Sequence, residues 1–286
     1  MIRIAPAPKG RAGRCFGLHR LAPPRICRGV NRMSPRSKDG SVLHFRKGRY
    51  LARPGTAPDD LARAQSLRAL CFGKPAGVLD ADPFDQHCTQ ILIEDAASGT
   101  LVGCFRLLAV PDGAAVQRSY SAQFYDLAAL ARFPGPMVEI GRFCIHPGHL
   151  DPDILRMAWG ALTAWVDATG VRLLFGCTSF VGDQAAPHLD AFSLLHRKHI
   201  APEQWRPGIK APEVFEFATG LAGHVCDPTK AQAGLPPLLR SYLVMGGWVS
   251  DHAVYDHDLQ TMHVFTGVEV DAIPPTRARL LRAVSG

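Results

Sequence analysis

The chain has 286 residues, a formal net charge of +7 and 47% hydrophobic residues, which is enough for the core of one large domain or two small ones. No uninterrupted apolar run approaches the roughly 18–20 residues that cross a bilayer, so the sequence predicts a soluble or membrane-peripheral protein. The positive charge is concentrated at the N-terminus. Residues 1–53 contain 14 Lys and Arg and one acid, and the rest of the chain contains 18 basic and 24 acidic residues.

The N-terminal segment is rich in Arg, Pro and Gly and shows no period of 2 or 3.6 residues, a pattern that argues against a packed core. We predict a basic, disordered arm over residues 1–44 that could bind anionic lipid or an acidic protein. The alternative is that translation starts at Met33. One domain is predicted over residues 45–272, followed by a C-terminal tail over residues 273–286.

The eight cysteines contain no Cys-x-x-Cys pair, and most lie in apolar surroundings. This pattern favours reduced, buried thiols over disulfides or zinc ligands. Cys144, His146 and His149 are close in sequence, but their spacing matches no standard zinc motif. We therefore predict no metal site.

Hydrophobic periodicity and turn residues predict the elements in chain order. The predicted strands are 45–53, 89–94, 101–110, 138–145, 171–179, 248–255 and 262–270. Four helices are predicted. The first runs from Asp59 or Asp60 to Cys71, the second from near Phe124 to near Ala131, the third from Asp151–Pro152 to just before Gly170, and the fourth from Leu235 to Val244. The order predicts an α+β fold with a mixed sheet. Trp159 and Trp165 are predicted in the core, and His252 and His257 at the surface.

The strand that precedes Pro147 carries two charged residues, Glu139 and Arg142, with Gly141 between them. Charges inside a strand are costly unless they are paired or functional, and an interior glycine often marks a bulge. A one-residue bulge would turn both side chains to one side of the sheet. This pattern predicts an active site, and a single structural ion pair between the two residues is the alternative.

Several segments, in this order, are similar to one group of enzymes. The segments Arg68 to Phe72, Asp80-Ala-Asp-Pro-Phe-Asp85, Leu101-Val-Gly-Cys-Phe-Arg-Leu107 and Glu139-Ile-Gly-Arg-Phe143 resemble the acyl-homoserine-lactone synthase branch of the GNAT-like acyltransferases. Downstream, Leu174-Phe-Gly-Cys-Thr-Ser-Phe180 and Leu235-Pro-Pro-Leu-Leu-Arg-Ser-Tyr-Leu243 resemble the related ornithine N-acyltransferase family of ornithine-lipid synthesis more closely. The resemblance covers residues 45–272.

The resemblance implies a GNAT-like fold, with helices on both faces of a central mixed sheet that is splayed at the bulged strand. It also implies transfer of a 3-hydroxyacyl chain from acyl carrier protein to the α-amine of L-ornithine, which gives lyso-ornithine lipid. The implied partners are acyl carrier protein, L-ornithine and the inner-membrane surface. No cofactor and no nucleic acid are expected, and the location is the cytoplasm or the inner-membrane surface. The alternatives are a lactone synthase that uses S-adenosylmethionine and a non-catalytic module that binds lipid or protein.

Acyl transfer to an amine requires a base, an oxyanion donor and a donor for the leaving thiolate. We assign Glu139 as the base, a backbone N–H of the bulge near Gly141–Phe143 as the oxyanion donor, and Ser179 as the donor to the thiolate. Cys144 could be a nucleophile instead, but the sequence shows no His–acid partner for it. Arg142 completes the predicted catalytic group.

Ornithine carries one carboxylate and two amines, so Arg and Asp side chains suit it. The resemblance places Arg68, Phe72, Asp82, Asp85 and Arg106 on the substrate side of the cleft. A solvated acidic loop and an outward-facing Arg106 are the alternatives.

The connection from His146 to Pro152 has one glycine and carries Asp151 at the next helix start, where a carboxylate would repel the pyrophosphate of coenzyme A. This argues against tight binding of the coenzyme A pyrophosphate and is compatible with a carrier-protein donor.

Overall fold

A computed structural model describes residues 44–285, which form one large mixed sheet with helices on both faces. The predicted arm therefore lies, except for its last residue, outside the described residues. The strands are β1 Phe45–Lys47, β2 Tyr50–Pro54, β3 Thr89–Asp95, β4 Leu101–Val110, β5 Tyr125–Asp126, β6 Met137–Ile145, β7 Leu173–Val181, β8 Gly208–Ile209, β9 Val214–Glu216, β10 Trp248–Val249, β11 His252–Asp256 and β12 Thr261–Glu269. The helices are α1 Asp60–Cys71, α2 Pro152–Thr169, α3 Leu189–Lys198, α4 Phe217–Gly220, α5 Pro228–Gly234, α6 Pro237–Val244 and α7 Pro275–Ser285.

The large sheet has the order β1-β2-β3-β4-β6-β7-β12-β11-β9, and β10 also pairs with β12. All of its described strand pairs are antiparallel except β6 with β7, which is parallel. The predicted strand 45–53 is instead a hairpin of β1 and β2, because Gly48 adopts a positive φ of 60° and reverses the chain.

Alternating side chains of β3 reach the two helical layers. Ile91 and Ile93 are buried with Ile154 of α2, whereas Leu92 is buried with Ala64 of α1 on the other face. The sheet therefore has a hydrophobic core on each side, and the predicted fold class is confirmed.

The ends of α2 are those that the sequence predicts. Asp151 accepts a hydrogen bond from the backbone N–H of Asp153, and Gly170 closes the helix in the left-handed conformation with a φ of 66°. Both features are local, which is why they can be read from the sequence.

Other regions also differ from the sequence predictions, which lack β8, β9, α4 and α5. The predicted helix near Phe124 is instead β5, which pairs with β8, followed by a short 3-10 turn, because Tyr125 is fully buried in an extended segment. Helix α3 was not predicted. His252 was predicted at the surface but is fully buried on β11.

The C-terminal tail is helical over α7 and packs on α2, where Arg282 pairs with Asp167 at 3.1 Å. None of the helices in the described part of the chain is both long and apolar enough to cross a membrane.

Candidate active site

Strands β6 and β7 separate in the middle of the sheet. They pair only over Met137–Glu139 and Leu173–Phe175, although each strand has nine residues. On its other edge, β6 is bulged, because the register with β4 shifts between Cys104 and Arg106 and so skips a residue of β6. Arg142 has a positive φ of 50° there, a conformation that is rare for non-glycine residues. The bulge occurs where the sequence predicts it.

A cavity lies where the two strands separate. Its walls come from β4, β6, β7 and the β11–β12 hairpin, and they consist of Cys88, Arg106, Leu108, Tyr120, Glu139, Ile140, Gly141, Arg142, Cys177, Ser179, Asp256, Leu259 and His263. The predicted site residues Glu139, Arg142, Ser179 and Arg106 therefore share one cavity.

Glu139 lies at the point of separation and is 4% exposed. Its carboxylate accepts hydrogen bonds from the backbone N–H of Tyr120 at 2.8 Å and from the N–H and hydroxyl of Ser121 at 2.7 and 2.6 Å. Burial raises the pKa of Glu139, and these donors offset only part of that effect. The proposed ion pair with Arg142 is wrong, because Arg142 pairs with other acids.

Six residues form a charged cluster behind this wall, and they are Arg68, Asp80, Asp82, Asp85, Arg106 and Arg142. Arg68 bridges Asp80 and Asp85 at 2.8 and 2.7 Å. Arg106 binds Asp85 at 2.7 Å and Asp82 through two nitrogens at 2.6 and 2.9 Å.

Arg142 completes the charged cluster by binding Asp80 and Asp82, both at 3.0 Å. Its guanidinium also lies over the rings of Phe72 and Tyr120, at 5.8 and 5.0 Å from their centroids. The alternatives of a solvated acidic loop and an outward Arg106 are therefore wrong.

The charged cluster shows where the predicted substrate-binding residues lie. Arg68 is fully buried, and Arg68, Phe72, Asp82 and Asp85 are absent from the cavity wall. Both Asp82 and Asp85 are already paired with arginines. Asp82 and Asp85 bind Arg106 or Arg142 directly, Phe72 lies under Arg142, and none of the four residues lines the cavity.

Cys144 is also away from the cavity. It is buried beneath α1 with Cys71 and Cys104, and its Sγ lies 3.5 Å from that of Cys104. Burial raises the pKa of its thiol well above the ordinary value. The alternative of a Cys144 nucleophile therefore lacks both a thiolate and access to a substrate.

The sequence predictions missed eight cavity residues, which are Cys88, Leu108, Tyr120, Ile140, Cys177, Asp256, Leu259 and His263. Asp256 and His263 reach the cavity only because β11 and β12 pair in one particular register, in which Asp256 lies opposite Thr261 and Val254 opposite His263. No local motif marks them.

Residues 67–160 match the acetyltransferase (GNAT) domain family. The chain is 31% identical over 200 residues to the L-ornithine N(alpha)-acyltransferase of Rhodobacter capsulatus, a match that covers 68% of this chain and 76% of the relative. The chain belongs to the L-ornithine N(alpha)-acyltransferase family.

Two further similarities accompany this assignment. The L-ornithine N(alpha)-acyltransferase of Agrobacterium fabrum is 29% identical over 268 residues, which cover 87% of this chain and 91% of that protein. Among solved structures, FeeM, an N-acyl amino acid synthase from uncultured soil microbes, is 11% identical with a TM-score of 0.45, over 79% of this chain and 94% of that one. As a member of this family, the protein is an N-acyltransferase with a GNAT-like fold.

The GNAT match divides the cavity of this L-ornithine N(alpha)-acyltransferase family member into two walls. The matched residues 67–160 contain the whole charged cluster and Glu139. Ser179, Asp256 and His263 come from β7 and the β11–β12 hairpin, beyond the matched region.

Proposed function

We propose that this protein transfers a 3-hydroxyacyl chain from acyl carrier protein to the α-amine of L-ornithine, which gives lyso-ornithine lipid. The observation that carries the proposal is Glu139, a buried carboxylate at the point where β6 and β7 separate, with no ion-pair partner among residues 44–285. The relatives named L-ornithine N(alpha)-acyltransferase support the choice of acceptor.

Glu139 acts as the base. It takes one proton from the α-ammonium, and the freed nitrogen forms a bond to the thioester carbonyl carbon. Collapse of the tetrahedral intermediate breaks the C–S bond, and the second proton leaves the nitrogen for the departing thiolate. The raised pKa makes Glu139 a stronger base than an exposed glutamate. The acquired proton then returns to solvent.

The bulge and Ser179 stabilise the two negative charges that form in the reaction, one on the carbonyl oxygen and one on the leaving sulfur. A backbone N–H in the bulge near Gly141–Phe143 binds the oxyanion, since β7 no longer pairs with this part of β6. Ser179 lies on the opposite wall, where its hydroxyl can donate to the leaving thiolate.

Arg142 binds the carboxylate of the amino acid. Together with Lys74, which lies 3.2 Å from Asp80, the charged cluster has four cations and three acids and so retains one unit of positive charge. Of the four cations, Arg142 and Arg106 line the cavity. Arg68, Phe72, Asp82 and Asp85 are positioning residues that set the orientation of these two guanidiniums.

The start of α2 supports acyl carrier protein over coenzyme A as the donor, because a carboxylate occupies this helix start. Asp151 accepts from the N–H of Asp153 and from the hydroxyl of Tyr50, and these bonds lower the pKa of Asp151 and keep it charged. A pyrophosphate at this helix start would meet a negative charge. The reaction would take place in the cytoplasm or at the inner-membrane surface, where the lipid product is retained.

The test is acylation by the purified full-length protein with 3-hydroxyacyl carrier protein and L-ornithine, with product detected by mass spectrometry. Glu139→Gln should lower kcat by about 10²–10⁴-fold, the usual worth of a general base. The matched control is Glu94→Gln. Glu94 is also a buried glutamate, but it does not line the cavity, and its carboxylate lies 2.8 Å from the guanidinium of Arg53. The control should retain turnover.

Parallel reactions separate the alternatives. The 3-hydroxyacyl thioester of coenzyme A should be a much poorer donor, and S-adenosylmethionine should not be an acceptor. If wild type acylates no amine with either donor, the proposal fails. If folded Glu139→Gln is as active as wild type, the acylation remains and the role of Glu139 fails.

A further inference from the structure

The cavity that Glu139 lines also holds a second acid, Asp256, in its wall. Asp256 is 8% exposed, and its Oδ1 accepts a hydrogen bond from the backbone N–H of Leu259 at 3.0 Å. It makes no ion pair within the described part of the chain, although a buried carboxylate normally has a cationic partner. The positive side chains of the cavity, Arg106 and Arg142, are already bound to other aspartates.

His263 lies in the same wall and presents a free acceptor. The hydroxyl of Tyr125 lies 2.9 Å from the carbonyl oxygen of His263 and 3.0 Å from its Nδ1. Because the carbonyl can only accept, the hydroxyl donates to it and Nδ1–H donates to the hydroxyl oxygen. The buried Nε2, which has no hydrogen-bond partner among residues 44–285, is then an unprotonated acceptor. Burial lowers the pKa of His263 to about 3, so the ring is neutral at physiological pH.

The strand register places these groups on one side of the sheet. Ser179 of β7 lies opposite His263 of β12, and His263 lies opposite Val254 of β11. Asp256 is two residues after Val254 on β11. Side chains two residues apart on a strand point to the same face. The side chains of Asp256 and His263 therefore lie on the same face of the sheet, and both line the cavity that Glu139 also lines.

We propose that Asp256 and the Nε2 of His263 bind the side-chain ammonium of a diamino acid acceptor, while Glu139 receives its α-amine. This inference rests on the proposed acylation of an amino acid. It assigns the recognition of the second amine to the β11–β12 hairpin, whereas Asp82 and Asp85, the acids that the sequence predicts for this role, are neutralised within the charged cluster.

Selectivity follows from the environment of Asp256. An acceptor without a side-chain amine leaves a buried carboxylate unpaired in the complex, and sites built around a polar group reject analogues that lack it. L-Norvaline has the carbon skeleton of L-ornithine without the δ-amine, so it isolates this one interaction. We expect wild type to prefer L-ornithine over L-norvaline in kcat/KM by at least about 10²-fold.

The test measures kcat/KM for both amino acids in wild type, Asp256→Asn and Asp258→Asn. Asp256→Asn keeps the oxygen that accepts from Leu259 but removes the charge, so the preference for L-ornithine should fall to less than about a tenth of its wild-type value, mainly through a higher KM for L-ornithine. Asp258 is an exposed acid two residues away, outside the cavity wall, so Asp258→Asn should keep the wild-type preference.

A second variant, Asp256→Glu, keeps the inference testable if Asp256→Asn folds poorly. Asp256→Glu retains the charge and extends the carboxylate by one methylene, so it should shift the preference from L-ornithine toward the shorter L-2,4-diaminobutyrate. An unchanged preference in folded Asp256→Asn, an unshifted preference in Asp256→Glu, or equal use of L-ornithine and L-norvaline by wild type would overturn this inference while leaving acylation established. If wild type acylates no amino acid, the proposed function itself fails.

Discussion

Replacement of Arg68 by methionine tests the charged cluster most directly. Methionine retains the apolar stem of the side chain but removes the guanidinium. Arg68 donates to both Asp80 and Asp85, and the exposed fractions of the three side chains are 1%, 2% and 3%. The variant therefore leaves two buried carboxylates with fewer partners in a region that water does not reach.

The expected cost is large. Removing one partner of a buried ion pair costs about 3–5 kcal/mol, because the remaining charge is left without compensation. Asp80 keeps Arg142 and Lys74, and Asp85 keeps Arg106 and Gln65, so we expect the middle of this range, about 4 kcal/mol. For a domain of this size, 1 kcal/mol shifts the Tm by about 2–4 °C, which gives a decrease of about 8–16 °C.

The Tm of Arg68→Met is measured by thermal unfolding, and its turnover is measured in the acylation assay. Arg68 lies behind the cavity wall, so the variant should lose activity below its Tm only because Arg106 and Arg142 change position. The matched control is Arg49→Met, because Arg49 pairs with Asp95 while its own side chain is 60% exposed. Exposed pairs contribute little, so the control should have a Tm close to that of wild type. A Tm for Arg68→Met that equals that of the control would refute the argument that the cluster stabilises this wall.

The other predictions concern acid stability, strand separation, the buried thiol and the N-terminal arm. Burial would raise the pKa of Asp85, but Arg68, Gln65 and Arg106 lower it below its ordinary value. The stability that ionised Asp85 contributes should therefore be complete above about pH 4 and be lost as the pH falls further, which urea unfolding at a series of pH values would measure. Stability that increased on acidification would contradict this. Gly176→Ala should lower both Tm and kcat, because its Cβ would lie 2.4 Å from the backbone oxygen of Ile140, and a variant with wild-type values would argue against this contact. Cys144→Ala should remain active in the acylation assay, whereas a folded but inactive variant would revive the covalent route. Deletion of residues 1–32 should leave turnover intact, and loss of turnover would instead place the arm in the reaction.

Sequence patterns were most informative where the determinants are local. Asp151 and Gly170 mark the ends of α2 because capping depends on residues within one turn. Gly141 between two charged residues marks the bulge of β6 for the same reason. The prediction for Phe124 was wrong because a partner strand distant in sequence holds the following tyrosine in an extended conformation.

The sequence by itself determined the fold class, the bulged strand and a set of charged residues that belong to one region. The tertiary structure alone decided which of those charges are paired with each other and which face the cavity. Asp82 and Asp85 look like substrate ligands in the sequence, but burial against Arg68 and Arg106 neutralises them. Asp256 has no distinguishing sequence context, yet strand register brings it to the cavity, where no cation of the described residues forms an ion pair with it. Burial and register depend on contacts between residues far apart in the chain, and those contacts set the electrostatic role of each charge.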